Sequence, residues 1–212
     1  MGTYSKSNFG KISGKVGEGV GSRWRGIKYL RSLPTKSGKP ATVSQLAVYA
    51  KFALSAARLS PIKDILYIGF SDKKLNTITG YNAAVKLFIT NAILGEYPDY
   101  TVDYSKMQLS KGSLRHLSHL TLDYSGGLLR LEWTVRQGDR SSFADDKVMV
   151  VVYNETTNLY TVDENIMRSD NGANIDIDAE SGDTVHVWAF CIKRDGITIS
   201  TSQYIGTVTL PL

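Results

Sequence analysis

Residues 129–135 read Leu-Arg-Leu-Glu-Trp-Thr-Val, and in them apolar side chains alternate strictly with polar ones. Successive side chains of a β-strand point to opposite faces, so this alternation predicts a strand with one buried face. The same period of two begins near Tyr100 and continues toward the C-terminus, interrupted by turn signals such as Asn171-Gly172 and Asp195-Gly196. About seven short antiparallel strands of this kind predict a β-sandwich.

The segment before the sandwich has helical features. Residues 41–59, between Pro40 and Ser60-Pro61, carry apolar side chains at helical spacing, and so do residues 81–94. Residues 62–70 read as a strand. We therefore expect a mainly β protein with two helices, whose C-terminal part is an antiparallel sandwich. The expected parts are a basic, Gly-rich arm over 1–40, an α+β region over 41–114 and the sandwich over 115–212.

The arm over residues 1–40 concentrates the positive charge of the chain. It holds nine Lys or Arg side chains against one acid, Glu18, which gives +8, whereas residues 41–212 sum to −3. Eight glycines are spread among apolar side chains, which a solvated linker would not carry in such number. We expect an extended, irregular arm that docks on an apolar surface.

Two binding roles remain open for this arm. Lys and Arg interleaved with aromatic side chains could neutralise phosphates and stack on the bases of a nucleic acid. Alternatively, the apolar side chains anchor the arm on a neighbouring subunit while the charges stay solvated. The candidate contact residues are Lys11, Lys15, Arg23, Trp24, Arg25, Lys28, Tyr29 and Arg31.

The residues that usually carry chemistry form no recognisable constellation in the sequence. The three histidines, His116, His119 and His186, favour structural roles over a zinc site, and His186 is expected on the polar side of its strand. Cys191 is the only cysteine, and its place between Phe190 and Ile192 does not identify it as a nucleophile. We interpret the acidic residues between Asp176 and Asp183 as the solvent-exposed face of a hairpin. We therefore predict no catalytic, cofactor or metal site and no small-molecule substrate.

Two resemblances extend this interpretation. Leu129-x-Leu131-x-Trp133-Thr134 resembles the second strand of a fibronectin type III or immunoglobulin-like sandwich, which buries a Trp, and residues 184–190 resemble its sixth strand. The glycine-tryptophan block formed by residues 10–17 and 21–26, with Tyr29 and Arg31-Ser32, is similar to an uncharacterised Bacteroidota family that carries a domain of unknown function. That resemblance implies no enzyme activity.

The polar start of the chain and the lack of a long apolar run predict neither a signal peptide nor a membrane span. A cytoplasmic or virion location is expected. The favoured function is that of a non-catalytic assembly protein, either an intracellular scaffold or a phage-like capsid- or tail-associated component. In this interpretation the partners are further copies of the chain or other structural subunits. The alternative is a non-specific nucleic-acid-binding accessory protein.

Overall fold

The computed structural model describes residues 2–3, 12–35, 38–71, 78–125, 127–135 and 142–211. The chain divides into two compact units, Met1–Thr42 and Val43–Leu212. Each unit is described by itself below.

The first unit is a small antiparallel sheet, so the expectation of an irregular arm is wrong. Two of its turns use residues with positive φ, namely Gly17 at 58° and the pair Arg25 and Gly26 at 44° and 88°. Positive φ at both central residues is typical of a tight hairpin turn, and glycine adopts it without strain. Gly17 and Gly26 therefore shape turns here. The strands, in the order β1-β4-β3-β2, are β1 Gly2–Thr3, β2 Gly14–Val16, β3 Gly19–Trp24 and β4 Ile27–Ser32.

The second unit begins with three helices and a short hairpin. The helices predicted over 41–59 and 81–94 are confirmed, although the second changes to π geometry and ends at Ala92. These elements are α1 Val43–Leu59, α2 Lys63–Gly69, α3 Gly80–Leu87, the π-helical turn Phe88–Ala92, β5 Ile93–Glu96, β6 Asp99–Val102 and the 3-10 turn Tyr104–Lys106.

The strand predicted over 62–70 is wrong, because this segment forms α2. Ile62, Leu66 and Phe70 are buried and lie four residues apart, which is the spacing of one helical face. A short apolar run rich in Ile and Tyr does not distinguish strand from helix by composition. Packing of this face into the helical layer selects the helix.

The rest of the second unit is the β-sandwich, which confirms the predicted fold class. One sheet has the order β11-β8-β7 and the other β10-β9-β12-β13. The first, second and fifth sandwich strands thus face the third, fourth, sixth and seventh, as in a fibronectin type III domain. The strands are β7 Ser118–Ser125, β8 Leu128–Thr134, β9 Lys147–Asn154, β10 Leu159–Met167, β11 Gly172–Asp176, β12 Thr184–Ile192 and β13 Gln203–Thr209, with a 3-10 turn at Arg168–Asp170.

Both resemblances to sandwich strands fall where they were expected. Leu129, Leu131 and Trp133 lie on β8, the second strand, and point into the space between the sheets. The indole Nε1 of Trp133 donates a hydrogen bond to the Arg168 carbonyl over 2.9 Å, which satisfies its buried polar group. Residues 184–190 lie on β12, the sixth strand.

The four-stranded sheet is buried on both faces, so the second unit has three layers. Val150 and Val187 belong to the core between the sheets, whereas Val151 and Trp188 belong to a second core beneath the helices. A strand covered on both faces has a continuous apolar run, as Val148 to Tyr153 shows. The expectation that His186 faces water is therefore wrong, because the helical layer covers its side of β12.

Candidate functional site

The hairpin tip, residues 23–28, brings apolar and cationic side chains close together in the first unit. Trp24 pairs with Ile27 across the strands, and the next pair is Arg23 with Lys28. Adjacent residues of a strand point to opposite faces. The tip therefore presents an apolar pair, Trp24 and Ile27, on one face and a cationic pair on the other.

The apolar pair at the hairpin tip is unusual for a solvated turn. The side chains of Trp24 and Ile27 are 51% and 44% exposed. Arg23 and Lys28 are directly opposite each other, and Lys28 is half-buried. Exposed apolar side chains of this kind are typical of a surface that meets a partner.

The remaining predicted contact residues are distributed over the same sheet. Lys15 pairs with Val20, and Val20 pairs with Arg31, so these three form a row on the face that carries Trp24. Tyr29 lies on that face and is half-buried. Arg25 forms the turn, and Lys11 falls outside the described residues. The structure thus splits the predicted cations between two faces of the sheet.

A second exposed apolar surface, which the sequence analysis did not single out, lies on α1. Val48, Tyr49 and Phe52 are 49%, 60% and 54% exposed, and Leu46 is 38% exposed. We call these four residues the α1 face. Only Ser55 and Leu59 of the helix are fully buried. A helix that leaves aromatic rings in water normally has a partner that covers them.

The β5–β6 hairpin lies beside α1 and ends in two acids. The Nζ atom of Lys51 on α1 lies 5.1 Å from the centroid of the Tyr100 ring on β6. Glu96 and Asp99 face each other across the hairpin and are exposed. This acidic pair mirrors the cationic pair of the hairpin tip, since both place like charges in register.

A buried aromatic cluster surrounds His186. Its ring stacks on Tyr104 with 4.2 Å between centroids, and its two nitrogens lie 3.0 Å from the Tyr204 hydroxyl and 3.3 Å from a Glu155 carboxylate oxygen. Burial raises the pKa of Tyr204 above its ordinary value. The hydroxyl therefore stays protonated at neutral pH, and the arrangement orients the imidazole within the core between sheet and helices.

The contacts of the other residues with potentially reactive side chains indicate structural roles. Burial raises the pKa of the Cys191 thiol to about 11, which keeps it protonated and unreactive at neutral pH. His116 and His119 are exposed. Asp183 accepts hydrogen bonds from the Asn154 side chain and the Glu180 backbone, and these bonds lower its pKa. Within the described ranges, no three His, Cys, Asp or Glu side chains are placed to share a metal ion.

An open groove of about 510 Å³ crosses the outer face of the three-stranded sheet. Its charged lining includes Arg130 and Glu132, which form an ion pair with 3.1 Å between Nε and Oε1. Both side chains are more than half exposed, so water screens them. The groove is polar, and Arg130 and Glu132 in its lining are paired with each other.

The fold and these surfaces define a β-sandwich protein with a helical layer on one sheet and a small basic N-terminal sheet. Residues 11–206 match the family of unknown function DUF6266, and the chain belongs to that family. This confirms the resemblance to an uncharacterised family. Among the residues described, no helix is both long and apolar enough to cross a membrane.

Other comparisons give little similarity. No curated protein sequence matches the chain. The crystal structure of the selenomethionine-substituted chicken interferon gamma receptor alpha chain aligns with a TM-score of 0.36 at 15% identity. The alignment covers 54% of this chain and 57% of the receptor chain, so it spans little more than half of either.

Proposed function

We propose that this protein is a non-catalytic assembly subunit whose N-terminal sheet docks on neighbouring copies. The observation that carries the proposal is the hairpin tip, where Trp24 and Ile27 are exposed on one face and Arg23 and Lys28 meet on the other. Trp and Arg are the residue types that most often dominate the energy of protein interfaces. A phage-like virion, assembled in the cytoplasm, is the setting we propose for such a subunit.

Burial of the apolar pair supplies a substantial driving force. A Trp side chain offers roughly 200 Å² or more of surface. At about 25 cal/mol per Å², covering the exposed half of Trp24 and a similar area of Ile27 contributes on the order of 4 kcal/mol before the costs of association. Loss of this free energy should therefore weaken the contact between subunits strongly.

The rest of the molecule fits the role of a rigid body. Both hydrophobic cores are built from residues of the second unit, between Leu59 and Val208. The sandwich therefore has its own source of stability, independent of the side chains at the hairpin tip. A stable body with a separate terminal segment for contacts is typical of assembly proteins in which that segment joins neighbouring subunits.

Light scattering of the full chain tests the proposal. The weight-average mass should rise above 23.4 kDa, the mass of one chain, as the concentration increases. Trp24→Ser should abolish the rise, whereas Ile197→Ser, which changes a side chain of equal exposure in the sandwich, should not. A wild-type chain that stays monomeric throughout the series contradicts the proposal.

Non-specific nucleic-acid binding is the second candidate. The observation in its favour is the row formed by Lys15, Val20 and Arg31 on the face that also carries Trp24 and Tyr29, since cations beside aromatic rings suit a single strand. Against it, Arg23 and Lys28 lie on the opposite face, which interrupts a continuous basic track. We therefore favour assembly.

Single-stranded DNA binding distinguishes the two candidates. If the sheet binds phosphates, the affinity for a labelled oligonucleotide should fall steeply as salt increases, and Lys15→Ala with Arg31→Ala should weaken binding and reduce the salt slope by about two. Absence of binding at low salt, near 50 mM, would remove this candidate.

A further inference from the structure

Helix α1 reverses the usual placement of charged and apolar side chains. Its two charged residues, Lys51 and Arg58, contact the body of the second unit. The Nζ atom of Lys51 lies 5.1 Å from the centroid of the Tyr100 ring, and Arg58 donates a hydrogen bond to the Asn158 side chain. The α1 face, in contrast, exposes apolar side chains to solvent. An amphipathic helix normally buries its apolar stripe and exposes its charges, so this reversal indicates that a partner covers the outer side of α1.

The outer side of α1 has the spacing of a helix–helix contact. Tyr49, Phe52 and Ala56 are exposed and lie three and four residues apart, which places them in one row along the helix. Paired helices pack along rows with this alternation of three and four. Ala53 flanks the row and is also exposed. The row therefore combines two large aromatic side chains with two small ones and carries no charge.

We infer that α1 packs antiparallel against α1 of a second copy, about a two-fold axis near Phe52 and Ala53. In this arrangement each Tyr49 ring lies on Ala56 of the other copy, so a large side chain meets a small one and the helices can approach closely. The two Phe52 rings meet beside the axis as an aromatic pair, which adds to the stability of such contacts. Because both copies use the same surface, the contact closes at two copies.

The absence of charge on this side of α1 favours a second copy over other partners. Nucleic acids and anionic lipid surfaces are bound by Lys or Arg side chains beside apolar ones. The two cations of α1, Lys51 and Arg58, contact the body instead. An uncharged surface also does not repel its own copy. The symmetric contact is therefore not opposed by like charges on the two helices.

The exposed area sets the expected strength of the contact. The α1 face with Ala53 and Ala56 exposes on the order of 500 Å² in each copy, given roughly 150–250 Å² for each aromatic side chain. Two copies can therefore bury about 1,000 Å², the lower limit for a specific interface. Interfaces of about 1,600 Å² bind with micromolar or higher affinity, so we expect this smaller one to dissociate at roughly 100 μM.

This contact does not involve the hairpin tip, so it goes beyond the proposed function and does not depend on it. At concentrations up to about 10 μM, at which the tip contact is to be measured, the α1 contact is mostly dissociated. In an assembly joined by the N-terminal sheets, the effective concentration of neighbouring copies reaches the millimolar range. The α1 contact should therefore form there and pair the joined copies side by side.

Mass measurements on the full chain with Trp24→Ser isolate the α1 contact. Light scattering from about 10 μM to about 1 mM compares this variant with two that carry a further change, Phe52→Glu or Ile197→Glu. Phe52→Glu places like charges against each other across the two-fold axis. Ile197 is the matched control, since the two side chains are 54% and 51% exposed. Circular dichroism checks that each variant is folded.

We expect the mass of the Trp24→Ser chain to rise from one chain to two, with a midpoint at roughly 100 μM, and Ile197→Glu to leave this rise unchanged. Phe52→Glu should weaken dimerisation by about tenfold or more. A chain that remains monomeric at about 1 mM, or a mass that passes two chains, overturns the inference. Unchanged dimerisation of the Phe52→Glu variant overturns it as well.

Oxidative cross-linking tests the antiparallel direction. Ala53 lies next to the proposed axis, so Ala53→Cys brings the two introduced thiols close enough for a disulfide between copies. Leu46 lies further toward the start of the helix, so two Leu46→Cys thiols are roughly 20 Å apart in the antiparallel pair, at about 1.5 Å per residue. The native Cys191 is buried and does not take part.

Under a mild oxidant at roughly 100 μM, we expect a covalent dimer from Ala53→Cys and none from Leu46→Cys, both in the Trp24→Ser chain. Equal cross-linking of the two variants, or none from Ala53→Cys, contradicts the antiparallel contact. All of these measurements are made without the tip contact. Failure of the inference therefore leaves the proposed function standing, which the mass of the wild-type chain tests separately.

Discussion

At the scale of single residues, a buried ion pair joins the start of β9 to the end of β10. The Nε atom of Arg168 lies 3.5 Å from an Asp146 carboxylate oxygen, and Asp146 is fully buried. Arg168 also donates a hydrogen bond to the Arg115 carbonyl over 2.7 Å, and the Asp146 carboxylate accepts one from the Phe143 backbone. The pair thus holds several loops at one end of the sandwich.

Removing the cation should be costly because it leaves the Asp146 charge buried. We expect Arg168→Met to lower the free energy of unfolding by about 3 kcal/mol or more. Arg130→Met removes an exposed ion pair with Glu132 and should cost no more than about 1 kcal/mol. Urea denaturation of both variants measures the difference. Equal losses would show that the buried pair has no special role.

Asp195 makes the stability of the sandwich sensitive to acid. Its carboxylate accepts backbone hydrogen bonds from Thr198 and Ile197, which lower its pKa from 3.8 to about 2. The lower pKa in the folded state means that this contribution is complete above about pH 4 and is lost as the pH falls toward 2.

Asp195→Asn should therefore lose less stability than the wild type between about pH 4 and about pH 2. The amide oxygen can still accept the backbone hydrogen bonds, but it has no charge to titrate in this range. Urea denaturation at several pH values measures the slope, with Asp176→Asn, an exposed strand residue, as the control. An unchanged slope in Asp195→Asn would exclude this carboxylate as a source of the acid sensitivity.

At the scale of elements, a close backbone contact at Gly112 connects the segment before β7 with the segment before β13. The Leu114 backbone donates a hydrogen bond to the Ile199 carbonyl over 2.9 Å, and Leu114 forms a parallel bridge with Ser200. A β-carbon at Gly112 would collide with the Ile199 carbonyl oxygen. Only glycine allows the two backbones to approach this closely.

We expect Gly112→Ala to lower the free energy of unfolding by roughly 1–3 kcal/mol, because the chain must shift to admit the methyl group. Gly38→Ala is the matched control, since a β-carbon there meets nothing within 4 Å. Its effect should stay within about 0.5 kcal/mol. Chemical denaturation of both variants gives the comparison, and a neutral Gly112→Ala would show that the contact relaxes without cost.

At the scale of the whole molecule, the division into two units predicts independent stability of the larger one. Both hydrophobic cores lie within residues 59–208, so a fragment of residues 43–212 should unfold cooperatively. We expect its free energy of unfolding to lie within about 1 kcal/mol of the full chain, a shift of roughly 2–4 °C in Tm. Differential scanning calorimetry measures both, and a fragment without a cooperative transition contradicts the division.

Local patterns in the sequence determined the sandwich. Alternation in residues 129–135 predicts β8 because one face of that strand is buried and the other is exposed to solvent. Turn signals such as Asn171-Gly172 indicate where other strands begin or end. The concentration of charge in residues 1–40 was likewise evident from composition. These features depend on residues that are close in the chain.

The tertiary structure decided what depends on distant residues. His186 is buried because the helical layer covers its side of β12, and the α1 face is exposed because α1 is fully buried only at Ser55 and Leu59. The pairing of Arg23 with Lys28 depends on the register of a hairpin whose glycines suggested irregular chain. Burial and register are set by which surfaces meet across the fold, and a periodicity read along the chain cannot specify the partner on the other side.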